Sequence, residues 1–165
     1  MSEPTPEASR HIDTNRRRPW PYAATAAAGR QGVHPMDHEA LASEMRGLRE
    51  QVAGITDTAL AAADGLLIAA DTGDGIDAEG LAAMAAAGLG LARRTTQATG
   101  RGTLRRTVAY GSHGCAAFYA VGDTALMVVL GDEGIDVDRL HQHTQPALRR
   151  IGSLLTEGES SKERA

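Results

Sequence analysis

The chain has 165 residues, a length that the usual domain size of roughly 100 to 200 residues assigns to a single domain. Hydrophobic residues make up 42% of it, enough for a packed core, and the net charge of -4 is too small to decide between classes of partner. Its single cysteine excludes an internal disulfide, and no apolar run approaches the roughly 18 residues of a membrane helix. We therefore expect a cytoplasmic protein with neither an export signal nor a membrane segment.

The N-terminal part divides into a tail, a helix and a hairpin. Residues 1–36 lack any sustained hydrophobic period and are predicted to form a disordered tail, in which Arg16-Arg17-Arg18-Pro19-Trp20 is either a docking peptide or a linker. Asp37 is expected to cap a first helix that ends near Gly54. Apolar runs over residues 55–62 and 66–70 flank Asp64-Gly65, which predicts a β-hairpin because both turn positions tolerate positive φ.

The middle helix is built from unusually small residues. It is predicted to begin at Asp77 and to end at Gly100, and its apolar residues surround the whole helix. Its own sheet covers one side only, so the other side needs a partner, and pairing of two copies about a two-fold axis would bury it. The alternative is a monomer with an Ala-rich surface helix, since Ala is the best helix former.

The C-terminal half predicts a three-stranded meander over residues 103–110, 115–121 and 124–130, and then a last helix from about Asp136. Pro146 is expected to kink that helix or to restart it from a Thr144 cap. The predicted fold is α+β, in the order α-β-β-α-β-β-β-α. It is a five-stranded antiparallel sheet with the first and last helices on one face and the middle helix on the other. Residues 37–156 form the predicted domain, and residues 157–165 a disordered C-terminal tail.

Three segments carry a resemblance to a known family. Residues 55–69 hold two apolar strands around Asp64-Gly65, residues 82–90 an Ala-rich helix, and residues 125–130 a final apolar strand. Over about residues 37–155 this arrangement resembles the Roadblock (dynein light chain) family. Two segments resemble the actinobacterial members of this family in sequence, namely Gly122-Asp123-Thr124-Ala125-Leu126 and Asp136-Val137-Asp138-Arg139-Leu140. The long N-terminal tail and Pro146 depart from the family pattern.

The resemblance implies a Roadblock/profilin-like fold and homodimers formed through the middle helix and the adjoining strand. It also implies binding or regulation of small Ras-like GTPases, sometimes as an activating protein. The residues assigned to the dimer interface on this basis are Leu81, Met84, Ala85, Gly88, Leu91, Ala92, Leu104, Arg106 and Val108.

Arginines are the most informative polar feature of the sequence. No acidic residue lies between Gly80 and Gly122, whereas five arginines do, and a dimer would double their charge. The candidate partner-binding residues are Arg93, Arg94, Arg101 and Arg105. An acidic protein surface is favoured over nucleic acid because no aromatic residues alternate with the arginines. The alternative is structural, since cations stabilise a helix C-terminus and charged residues protect an edge strand.

The search for catalytic chemistry gives one lead, Asp71-Thr72-Gly73, the tripeptide that each subunit of a retroviral-type aspartic protease contributes. That fold is nearly all strands, whereas a long helix follows here, so a turn at a strand end explains the tripeptide better. The acidic residues of this loop lack the spacing of a calcium loop, and the histidine pairs lack further zinc ligands. Cys115 is expected to be a buried structural thiol.

The first functional hypothesis is a non-enzymatic homodimer, without cofactor or metal, that binds a small Ras-like GTPase and modulates its nucleotide cycle. The second is a constitutive dimeric scaffold for a sensor kinase or for other proteins encoded nearby. The aspartic protease is the remote third. Neither nucleic acid nor a membrane is an expected partner.

Overall fold

The computed structural model describes residues 35–163, so the predicted N-terminal tail lies outside the described residues except for its last two positions. Three helices and five strands follow the predicted order. Their bounds are α1 Pro35–Gln51, β1 Ile55–Ala62, β2 Leu67–Asp71, α2 Ala78–Ala98, β3 Arg106–Gly111, β4 Gly114–Val121, β5 Ala125–Gly131 and α3 Val137–Glu163.

The five strands form one antiparallel sheet in the order β2-β1-β5-β4-β3. The predicted hairpin is β1 with β2, and the predicted meander is β3, β4 and β5. Strand β1 joins the two units by pairing with β5 along its whole length, from Ile55 opposite Gly131 to Ala62 opposite Ala125. Strands β2 and β3 are consequently the edges of the sheet.

The hairpin turn fixes the position of α2 on the sheet. Gly65 has φ +92°, a conformation that L side chains rarely adopt, and its amide donates to the Ala62 carbonyl at 2.9 Å. A Cβ atom at this position would lie 3.1 Å from the Cα of Ala83. Glycine is therefore required both by the turn and by the close approach of the helix.

Helices cover both faces of the sheet, as the sequence predicts. Helices α1 and α3 pack together on one face and α2 lies alone on the other. The α1/α3 layer is filled by large side chains that are fully buried, among them Leu41, Met45, Leu60, Tyr119, Met127, Leu140 and Ile151. The α2 layer is filled mainly by smaller ones, including Ala59, Ala61, Ala82, Ala85, Leu89 and Val128.

Helix α3 differs from its prediction in its middle and at its end. It begins next to Asp136 as predicted, and the Asp136 side chain accepts a hydrogen bond from the Arg139 amide at 3.0 Å. The helix then runs through Pro146 without a restart, and the Thr144 hydroxyl donates to the Leu140 carbonyl at 2.7 Å instead of capping a new helix. It continues to Glu163, beyond the predicted domain end at residue 156. Within residues 35–163, none of the helices combines the length and the apolar character needed to cross a membrane.

Candidate protein-interaction site

Helix α2 has an inner face that the chain itself buries and an outer face that it leaves exposed. Asp77 caps the helix by accepting a hydrogen bond from the Gly80 amide at 3.1 Å. The inner side chains include Ala85, which has no exposed surface, and Leu89. Met84 and Leu91 on the outer side are 60% and 69% exposed. Two large apolar side chains on one exposed helix face are typical of a surface that meets another protein.

The structure splits the predicted dimer interface. Leu81, Ala85 and Leu104 are buried in the α2 layer of this chain and offer no surface to a second copy, so their assignment to the interface is corrected. They are apolar residues of a helix with no polar face, and the sequence period alone did not separate its two sides. Half-buried Ala92 also packs against this layer, whereas Gly88 has open space around it.

The two predicted interface residues on β3 face the other side of the sheet. Val108 packs against the α1/α3 layer. Arg106 lies opposite Tyr119, a residue of that same layer, so both side chains share its face. The residue of β3 that sequence analysis missed is Tyr110, which is 73% exposed on this edge strand. Tyr110 ends the alternating pattern of side chains along this strand, and that pattern was the sequence signal that could have identified it.

The arginines gather at one end of the sheet. Strand β3 begins at Arg106, three residues later than predicted, so Arg101 and Arg105 lie in the connection that precedes it. Arg93 and Arg94 lie near the C-terminal end of α2, which leads into the same connection. In the described part of the chain, no ion pair or side-chain hydrogen bond is found for Arg93, Arg94, Arg101, Arg105, Arg106 or Arg149.

Acidic side chains gather at the opposite end of the sheet. The loop after β2 and the loop after β5 both lie there, because these strands are antiparallel to β1, which starts at that end. The first loop carries Asp74 and Asp77, and the second carries Asp132, Glu133 and Asp136. Helix α2 begins at this acidic end and finishes at the arginine-rich end, so charge is separated along its length.

A buried tyrosine and a histidine form a contact that sequence analysis did not find. The Tyr119 hydroxyl lies 2.6 Å from Nδ1 of His141, and the two rings meet edge to face. Burial lowers the pKa of His141 and raises the pKa of Tyr119 to about 12, and the nearby positive Arg106 further lowers that of His141. Both groups are thereby held neutral, so the phenol can donate to the ring nitrogen. His141 itself is half-buried.

The remaining candidates for chemistry have structural partners. Asp71 of the Asp-Thr-Gly tripeptide accepts a hydrogen bond from Nη1 of Arg49 at 3.1 Å, and the surrounding fold is not that of a retroviral-type protease. Cys115 is buried as predicted, and burial raises the pKa of its thiol. Among the described residues, no group of three histidine, cysteine or acidic side chains is arranged to hold a metal ion.

These features define a class of protein: a small α+β domain whose exposed apolar helix face and unpaired arginines suit contact with other proteins. A profile of the Roadblock/LC7 domain matches residues 41–131, more than half of the chain, and the chain belongs to that family. This confirms the family and the fold expected from the sequence.

The chain is similar to proteins of archaea and bacteria. It is 37% identical over 101 residues to the uncharacterized protein MJ0310 of Methanocaldococcus jannaschii, covering 61% of this chain and 88% of that protein. The Roadblock/LC7 domain from Streptomyces avermitilis matches with a TM-score of 0.65 and 23% identity, over 69% of this chain and 96% of that one. A structure of MglB with a tetrameric arrangement matches with a TM-score of 0.70 and 15% identity, over 78% and 97% of the two chains.

Proposed function

We propose that this protein is a non-enzymatic, cytoplasmic homodimer that binds a small Ras-like GTPase and modulates its nucleotide cycle. The observation that carries the proposal is the pairing of two features in a Roadblock/LC7 domain. One is the apolar outer face of α2, and the other is the set of unpaired arginines at its C-terminal end. The apolar face would meet a second copy, and the arginines an acidic surface of the GTPase.

Support for self-association comes from the shape of the outer face. Gly88 has no heavy atom within 4 Å of where a Cβ atom would be, and Met84 and Leu91 extend from the same helix. A glycine between two large apolar side chains leaves room for a side chain of the facing helix. The similar MglB structure has a tetrameric arrangement, which fits a fold that assembles with copies of itself.

Support for an acidic partner comes from the charges. The five arginines between Gly80 and Gly122 have no acidic neighbour in sequence, and none of them forms an ion pair in the described part of the chain. Of the proposed partner-binding residues, Arg94, Arg101 and Arg105 are exposed and Arg93 is half-buried. Unpaired charges of one sign steer an oppositely charged partner and raise its association rate.

The direct experiment measures GTP hydrolysis and nucleotide exchange by a small GTPase encoded beside this gene, with and without the full-length protein. We expect a change in one of the two rates, and about a tenfold weaker effect for Arg94→Glu because charge reversal opposes the acidic surface. The matched control is Arg46→Glu on α1, where the arginine already pairs with Glu39 at 3.0 Å. If the GTPase neither binds nor changes its rates, the regulator proposal is wrong.

The same experiment separates the second candidate, a constitutive dimeric scaffold for a sensor kinase or another complex. Binding without any change in hydrolysis or exchange would favour that scaffold. The observation in its favour is that Arg101 and Arg105 lie in the connection after α2, off the helix that carries Met84 and Leu91, so a dimer formed through that helix can hold partners there without taking part in their chemistry.

Self-association is tested by Gly88→Leu. The space around Gly88 is open within one chain, so the variant should fold, while its new side chain would block a facing helix. Gly90→Leu is the control, because Gly90 is equally open but lies on the other flank of the exposed face. Sedimentation should show monomers for Gly88→Leu and dimers for the control. A Gly88→Leu variant that still dimerises would place the contact elsewhere.

A further inference from the structure

A groove of about 430 Å³ opens at the end of β4, between α3 and the connection that precedes β3. Its apolar lining comes from Leu104, Val121 and Leu148, all of which are otherwise buried side chains. Gly122 and Gly152 also line it and have no side chains that would fill the space. The groove is distinct from the outer face of α2, which belongs to the other side of the sheet.

The groove exists because β3 is shorter than β4. Pairing between them begins with Arg106 opposite Tyr119, so Ala120 and Val121 extend past the paired region. The last link is a long contact of 3.5 Å from the Ala120 amide to the Arg105 carbonyl. Beyond this link, the end of β4 from Val121 has no strand partner on this side, so an extended peptide segment can lie beside it.

Two arginines on opposite walls give the groove its charge. Arg105 belongs to the connection before β3 and Arg149 to α3, and both line the groove. Neither forms an ion pair within residues 35–163, whereas neighbouring Arg150 donates from Nε to Oε2 of Glu44 at 2.7 Å. Two exposed guanidinium groups around an apolar floor match a ligand with carboxylates on either side of an apolar side chain.

We propose that this groove binds an extended acidic peptide segment of a partner protein, with an apolar side chain between its carboxylates. This goes beyond the regulator proposal, because the segment would contact Arg149 of α3 and leave the outer face of α2 free, although it shares Arg105 with the surface proposed for the GTPase. The groove has no aromatic residue for stacking bases, which disfavours single-stranded nucleic acid. The chain's own residues 1–34 carry five arginines against three carboxylates and are poorly matched to it.

The test uses the full-length protein and a fluorescein-labelled peptide of sequence Gly-Glu-Asp-Leu-Glu-Asp-Gly, followed by fluorescence anisotropy. We expect saturable binding that weakens with added salt, and a loss of affinity of about tenfold for Arg149→Ala because one charge-assisted contact is removed. Arg139→Ala is the matched control, since Arg139 lies on α3 but donates to the Gln51 carbonyl at 3.4 Å. It should leave the affinity unchanged.

A second variant tests the shape of the groove without altering its charge. A Cβ atom on Gly152 would sit 3.8 Å from Cγ1 of Val121, an ordinary contact, so Gly152→Leu should fold and fill the groove. We expect Gly152→Leu to weaken peptide binding as strongly as Arg149→Ala does. Added peptide should shift the amide resonances of Ala120 and Gly122 in the wild type but not in Gly152→Leu.

Three outcomes would overturn the proposal. They are equal losses for Arg149→Ala and Arg139→Ala, unchanged binding by Gly152→Leu, and equal competition from a single-stranded oligonucleotide of the same net charge. The GTPase assay separates this site from the proposed function, because Arg149 is not among the residues assigned to the GTPase. An Arg149→Ala variant that loses the peptide should keep its effect on nucleotide hydrolysis or exchange.

Discussion

The two layers that cover the sheet differ in the size of the side chains that fill them. In the α1/α3 layer, two helices supply large residues such as Leu41 and Leu140, both without exposed surface. In the α2 layer, one helix approaches the sheet through Ala82 and Ala85, and its far side exposes Leu91. Burial of large apolar side chains is the main favourable contribution to folding. The first layer therefore contributes most of the buried large side chains, and the second leaves an apolar helix face exposed.

The largest expected effect is a cavity in the α1/α3 layer. Leu140→Ala should lower the free energy of unfolding by about 2 to 5 kcal/mol, because the fully buried side chain leaves a space that its neighbours fill only in part. Urea unfolding followed by circular dichroism measures the loss. Leu91→Ala is the control and should leave the fold intact. If the two variants lowered the free energy of unfolding equally, the proposed difference between the two layers would be wrong.

The next effect separates the two faces of α2 with a pair of alanines. Ala85→Leu should lower the free energy of unfolding by about 1 to 3 kcal/mol, because Ala85 is fully buried and a larger side chain would overpack the α2 layer. Ala87→Leu is a matched change at an exposed position and should alter the free energy of unfolding by less than about 0.5 kcal/mol. The midpoint of urea unfolding at low protein concentration checks both. A tolerated Ala85→Leu would show that the α2 layer is looser than its burial indicates.

The Tyr119–His141 contact makes the stability of the α1/α3 layer depend on pH. Because burial lowers the pKa of His141, the unfolded chain binds a proton near pH 6.5 more readily, and stability should fall as the pH drops through this value. Because the pKa of Tyr119 is raised to about 12, stability should also fall as the pH rises above 10.0. Urea midpoints at several pH values measure both losses.

The loss of stability at acidic pH should shrink in His141→Gln, because the side chain whose pKa is lowered by burial is removed. Tyr119→Phe should in addition lower the free energy of unfolding by about 0.5 to 1.5 kcal/mol at neutral pH, because the hydrogen bond to His141 is lost. An acid profile unaffected by His141→Gln would show that another group governs it.

The smallest effect is expected at Asp71, which connects β2 to α1. Asp71→Asn should cost about 0.2 to 1 kcal/mol, because it weakens a partly exposed ion pair with Arg49. The same variant tests the remote protease hypothesis, and we expect peptidase assays to give the same background for both proteins. Asp74→Asn, in the exposed loop that follows, is the stability control. A larger loss at Asp71 would make the edge of the sheet more dependent on this pair than its exposure indicates.

Much of the fold could be predicted because its signals are local. Asp64-Gly65 between two apolar runs defines the hairpin, and Asp77 and Asp136 cap the helices that follow. These signals depend on turn geometry and hydrogen bonds between near neighbours. The hydrophobic pattern then assigns the layers, since an α2 without a polar face needs cover from a sheet.

The site was less predictable because its details depend on tertiary contacts. No local signal places the start of β3 at Arg106 rather than at residue 103, and this difference creates the groove beside Arg105. Likewise, the small residues of α2 give no period that tells Ala85 from Ala87. The continuous helix through Pro146 is a tertiary effect as well, because packing of Leu140 before the proline and of Ile151 after it holds both halves on the sheet.

Among the described residues, the acidic loops at the start of α2 and the arginines at its end form a charge separation whose dipole moment lies roughly along that helix. In a dimer whose α2 helices run antiparallel across a two-fold axis, the two moments cancel, and each basic end lies nearest the acidic end of the other copy. In a dimer with parallel helices, the two dipole moments would instead add, and like charges would repel each other at both ends of the helices. In the proposed dimer, this arrangement of charge would favour the antiparallel packing of the apolar face, and more strongly at low ionic strength.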